Sequence, residues 1–133
     1  MRVVLFLTVI LMAFALHSKE RLGTDVTNVR TSTTNGKQRI VLDINSDNEP
    51  AVYSKKAKNI ICVTVETYMD QGKESQFAKL LSNTSYVKNV DFINLPDEGE
   101  VIIQLKLSGD VYDNVFTLSN PSRLVIDLDG KQS

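Results

Sequence analysis

One cysteine, Cys62, and one histidine, His17, are all that 133 residues offer of the side chains that most often build catalytic and metal centres. A lone cysteine excludes an internal disulfide and any zinc site made from paired cysteines. A lone histidine excludes a zinc amidase centre, which needs about three protein ligands around an open position, and leaves no serine or cysteine nucleophile paired with a histidine base. Asp43, Asp91, Glu100, Asp127 and Asp129 could supply the two carboxylates of a glycosidase, but each falls in a strand-like segment where a solvated charge is the simpler account. The chain therefore reads as non-catalytic, with no cofactor.

Charge of one sign is also lacking. Fifteen basic and sixteen acidic side chains give a formal net charge of −1, with no long run of either. Lys55, Lys56 and Lys58 form the densest basic group and read as a solvated turn. Nucleic acid binding is thereby excluded, because its affinity rests on a clustered basic face. Only one long apolar run occurs, from Val3 to Leu16, broken by Thr8. It falls short of the roughly 20 residues that span a bilayer. With Arg2 before it and the small residues Ala13 and Ala15 near its end, residues 1–18 read as a signal peptide cut near Ala15. No membrane contact is expected beyond that leader, and the product is exported. Residues 19–133 then form one domain.

What the sequence does contain is a duplication. Val26, Asn28 and Val29 recur as Val87, Asn89 and Val90, and a constant offset then carries Gly36 to Gly99, Leu42 to Leu105, Val63 to Ile126 and Val65 to Leu128. The same offset pairs Val52 with Val115 and Tyr53 with Phe116, both read as core plugs. The repeats span 26–66 and 87–129, with a helical linker over 67–86. A unit repeated in this way buries its apolar face against its copy.

Within the first repeat, strands are predicted at 26–33, 39–44, 51–54 and 60–66, with a tight hairpin at Asn35–Gly36, where both residues tolerate positive φ. Residues 55–59 read as a turn. The second repeat gives strands at 87–93, 101–107, 111–118 and 124–128. Between the repeats, Phe77, Leu80 and Leu81 lie at helical spacing within 70–82, predicting one short helix that lies as a lid over one end of the strands. Period-two alternation points Ile40, Leu42, Ile44, Ile61, Val63, Val65, Ile103, Leu105, Leu107, Leu124, Ile126 and Leu128 inward. A one-residue slip would bury Arg39, Asp43, Lys106 or Asp127, so the register is firmly set. The expected fold is mainly β: a β-sandwich of two pseudo-symmetric four-stranded units with one short connecting helix.

The closing segment Leu118-Ser119-Asn120-Pro121-Ser122-Arg123-Leu124-Val125-Ile126-Asp127-Leu128 resembles the final motif of the AMIN domain, the amidase N-terminal module. In that motif an Asn-Pro turn leads into Arg, three apolar residues and Asp. Arg39 to Ile44 is similar to the same family's first Arg-to-Asp strand. The resemblance implies an extracytoplasmic pair of related four-stranded sheets that binds peptidoglycan and localises envelope machinery, such as an amidase, a division complex or a secretin. Carried onto this sequence, it marks Arg39, Asp43, Asn120, Arg123 and Asp127 as candidate ligand-binding residues. Arginine would fork onto wall carboxylates while Asp and Asn accept from hydroxyls and amides. Two alternatives stay open: these charges are surface ion pairs between strands, or the module is a protein adaptor docking through an exposed strand edge, with the outward-facing Ile60 and Cys62 as the kind of apolar spot a protein contact leaves.

Overall fold

The computed structural model describes residues 25–130, so the leader predicted over residues 1–18 lies outside the described residues. Eight strands and one helix follow in the order β1 (Asp25–Thr34), β2 (Lys37–Asn45), β3 (Val52–Ala57), β4 (Ile60–Val65), α1 (Lys73–Leu81), β5 (Val87–Leu95), β6 (Glu100–Leu107), β7 (Val111–Leu118) and β8 (Arg123–Gly130). They form two antiparallel four-stranded sheets, β1-β2-β8-β7 and β3-β4-β6-β5.

Each sheet takes two strands from each repeat. The exchange preserves the duplication, because substituting β5 for β1, β6 for β2, β4 for β8 and β3 for β7 turns one strand order into the other. Register agrees: Ile40 faces Ile126 and Leu42 faces Leu124 in the first sheet, as Ile103 faces Val63 and Leu105 faces Ile61 in the second. Even the irregularities repeat, with a bulge between Val26 and Asn28 in β1 and another between Val87 and Asn89 in β5. All twelve residues predicted to point inward are buried, joined by Val26, Val29, Val87, Val90, Phe92 and Val101. Asn35 and Gly36 both have positive φ in the two-residue β1–β2 turn, as the hairpin requires.

The constant offset fails at β3 and β7. Val52 pairs with Val65, whereas Val115 pairs with Ile126, so the structural equivalents are displaced by two residues. The cause is turn length: β3 runs on through Lys55, Lys56 and Ala57, leaving only Lys58 and Asn59 to turn, while Ser119 to Ser122 make the longer turn between β7 and β8. Tyr53 and Phe116 are therefore not counterparts, and neither plugs the core: Tyr53 is exposed and Phe116 is half-buried under Arg39.

Both open sides of the sandwich are closed, by different means. α1 packs on the edge strands β1 and β5, one from each sheet, so it seals a flank rather than capping one end of the strands. Phe77 and Leu81 are buried, Phe77 meeting Phe92 edge-on at 6.2 Å, while Leu80 faces out. At the β1 side the contact is polar. Gln38, fully buried, donates to Thr31 and Thr84 Oγ1 at 2.9 and 2.7 Å and accepts from the Tyr86 amide at 2.8 Å. On the opposite flank, Lys56 points inward from β3 to the Val111 carbonyl and lies 3.8 Å from Asp113 on β7. A charge turned inward on an edge strand also opposes edge-to-edge pairing with another sheet.

Candidate functional site

Two strands carrying Arg and Asp four residues apart become neighbours when β2 and β8 pair antiparallel. Antiparallel pairing reverses the order, so each Arg stands opposite the other strand's Asp: Arg39 opposite Asp127, and Arg123 opposite Asp43. Four of the five residues singled out from the sequence thus share one outward face. Asn120, exposed and with positive φ, lies off the strands in the β7–β8 turn.

The four charges do not pair as two equivalent couples. Arg39 makes a two-pronged contact with Asp127, Nε to Oδ1 at 2.7 Å and a terminal nitrogen to Oδ2 at 2.8 Å. These hydrogen bonds, and then the carboxylate charge, hold the Arg39 guanidinium above its usual pKa against a slight opposing effect of burial. Its cationic head also stands 5.8 Å from the centre of the Phe116 ring. Asp43 is claimed instead by Arg30 of β1, with Nε to Oδ2 at 3.1 Å and a terminal nitrogen to Oδ1 at 2.9 Å. Arg30 escapes sequence reasoning because its own cross-strand partner is Val41, and it reaches Asp43 diagonally.

Arg123 is left with its Nε donating to the Pro121 carbonyl at 3.1 Å and, among the described residues, no ion pair within 4 Å. It borders a shallow depression of about 370 Å³ with Arg30 and Arg39 on its rim and Val41, Val125 and Leu118 in its floor. Val125 points away from the core yet is only 1% exposed, so its neighbours cover it. The result is an apolar floor ringed by three guanidinium groups, two of them neutralised. Such a surface can accept a planar anion at Arg123 and pack apolar atoms beside it.

No helix among the described residues is long and apolar enough to cross a membrane. The family model of the AMIN domain matches residues 89–133, which include Arg123 and Asp127, in agreement with the resemblance carried by the closing strand. AMIN domains in general are extracytoplasmic, non-catalytic modules that bind peptidoglycan and localise envelope enzymes. No curated protein matches the chain.

Proposed function

We propose that this chain is an exported, non-catalytic module that binds peptidoglycan through the outer face of the β1-β2-β8-β7 sheet and so localises an envelope complex containing an amidase, division or secretin component. The observation that carries this reading is Arg123, an arginine without a carboxylate partner among the described residues, beside an apolar floor and within the segment that matches a wall-binding family. Stem peptides of the wall carry carboxylates that a guanidinium can fork, and their alkyl parts would lie on the part-exposed Val41 and Leu118. Arg39 and Arg30 hold Asp127 and Asp43 in place and contribute positive potential at the rim. Asn120, exposed in the turn three residues before Arg123, would offer an amide to sugar hydroxyls or peptide groups. One shallow site binds weakly, and the polymeric wall compensates by presenting the ligand many times.

Cosedimentation of the purified chain with sacculi tests the reading. Retention at low salt should fall about fivefold or more with Arg123→Glu and should weaken as salt rises. Retention that ignores both would remove Arg123 from the site. A folded chain that never sediments with sacculi would remove the wall as ligand and favour the adaptor.

A further inference from the structure

The outer face of the other sheet has a different chemistry. Tyr53, Ile60 and Ile93, at 65%, 44% and 39% exposure, are three of the five large apolar side chains most open to solvent among the described residues, and all three stand on it. Between them lie Ile102 and Cys62, both part-exposed. Cross-strand pairing arranges this face in three rows across β3, β4, β6 and β5: Tyr53, Thr64, Ile102, Ile93; then Lys55, Cys62, Gln104, Asp91; then Ala57, Ile60, Lys106, Asn89.

We propose that this face is where a second copy of the chain docks, the two sheets stacking about a two-fold axis that runs along the strands between β4 and β6. That rotation exchanges β3 with β5 and β4 with β6 while keeping each row in place. Tyr53 then lies on the partner's Ile93, and Thr64 on the partner's Ile102. In the middle row Lys55 meets the partner's Asp91, and the same contact recurs on the other side of the axis. In the last row the alkyl stem of Lys106 covers the partner's Ile60. No like charges oppose one another. The face is therefore self-complementary in both apolarity and charge, as a two-fold interface must be.

The same rotation applied to the first sheet would bury the Arg39–Asp127 and Arg30–Asp43 pairs, whose loss of water opposes association. Only the second sheet offers apolar rows with a single ion pair at each margin. At about 4.8 Å between strands and about 6.8 Å between rows, the stacked area is on the order of 400 Å² per copy. That is half of the roughly 800 Å² per partner of a standard interface. The association is accordingly reversible, with dissociation in the micromolar range or weaker.

Sedimentation equilibrium across micromolar to millimolar chain concentrations should show a monomer–dimer exchange. Lys55→Glu should raise the dissociation constant about tenfold or more, by opposing two acidic groups at both margins, and Lys55→Glu combined with Asp91→Lys should restore it. Ile93→Asp should abolish the dimer, and because Ile93 is exposed the variant keeps its thermal midpoint, which separates lost docking from lost folding. Cys62, the only cysteine, reports geometry: with sheets about 10 Å apart and the axis beside it, paired Cys62 residues are too distant for a disulfide but within reach of a short bismaleimide. A chain that stays monomeric at millimolar concentration overturns the proposal. So does a dimer unchanged by Ile93→Asp, or one in which the double charge exchange fails to rescue the single reversal.

Discussion

Arg39, Asp43, Arg123 and Asp127 on one sheet occupy the same lattice points as Ile102, Lys106, Ile60 and Thr64 on the other, since Arg39 pairs with Asp127 as Ile102 pairs with Thr64, and Asp43 with Arg123 as Lys106 with Ile60. Beneath these outward residues the inward ones barely differ: Ile40, Leu42, Leu124 and Ile126 correspond to Ile103, Leu105, Ile61 and Val63. A core buried on both sides must be filled at fixed volume and cannot accept an unpaired charge. An outer face has no such obligation. Duplication has therefore kept the inner layer and released the two surfaces, one becoming a plate of guanidinium–carboxylate pairs and the other an apolar plate with charges at its margins.

The strongest way to break this comparison is to strike the same inner point in each sheet. Leu42→Ala and Leu105→Ala remove fully buried, equivalent side chains, so each should cost about 2–5 kcal/mol in urea unfolding. The two values should lie within about 1 kcal/mol of each other if the frames pack alike. A large cost at one and a negligible cost at the other would show that the repeat is a resemblance of pattern without equality of packing.

The inner layer was legible because alternation is local: a strand with Ile40, Leu42 and Ile44 on one side and Arg39 and Asp43 on the other declares its buried face without knowing its neighbours. Which strands become neighbours is not local. Hence four-stranded units were visible, while the exchange that gives each sheet two strands from each repeat was not. The Arg-to-Asp spacing of β2 and β8 marked the right residues, yet their actual partners depended on that pairing, and Arg30 took Asp43 through a diagonal contact that no spacing announces. Lys55 to Asn59 read as a turn because lysine and asparagine are common there. An inward Lys56 becomes sensible only once β7 lies across the gap with Asp113 and the Val111 carbonyl. The two-residue slip between β3 and β7 was hidden for a similar reason, since Val52 and Val115 match in type at the constant offset.

The duplication's clearest internal departure lies at Gln38, whose counterpart at the constant offset is Val101; both are fully buried. Val101 belongs to an apolar layer, while Gln38 ties the segment between α1 and β5 to the first sheet through Thr84 and the Tyr86 amide. Gln38→Val would make the repeats agree in sequence and disagree in energy. It leaves the Tyr86 amide and the Thr31 hydroxyl without that partner, at an expected cost of about 1–3 kcal/mol. Amide exchange should locate the loss, with Tyr86 losing protection while Ile103 keeps it. Equal loss of protection throughout would mean that Gln38 serves the whole core rather than the linker.

The smallest expected effect is on the charged plate itself. Arg39 and Asp127 form a two-pronged pair with about half of the Arg39 side chain open to water. A double-mutant cycle through Arg39→Ala and Asp127→Ala should therefore give a coupling of about 0.5–1 kcal/mol at low salt, shrinking as ionic strength rises. The same cycle at Ile102 and Thr64 should give a coupling that does not respond to salt, because no charge is removed. The pH dependence has a definite sign for the arginine. Asp127 raises the Arg39 pKa, so the stability it contributes is complete below the unfolded-state value and disappears only as pH climbs through the folded-state one. That window lies beyond ordinary handling conditions, and moving from about pH 6 to about pH 9 should leave the Arg39 contribution unchanged. A coupling that falls over this interval would mean that a group other than the guanidinium controls the pair, and the plate would then be a titrating surface instead of a fixed one.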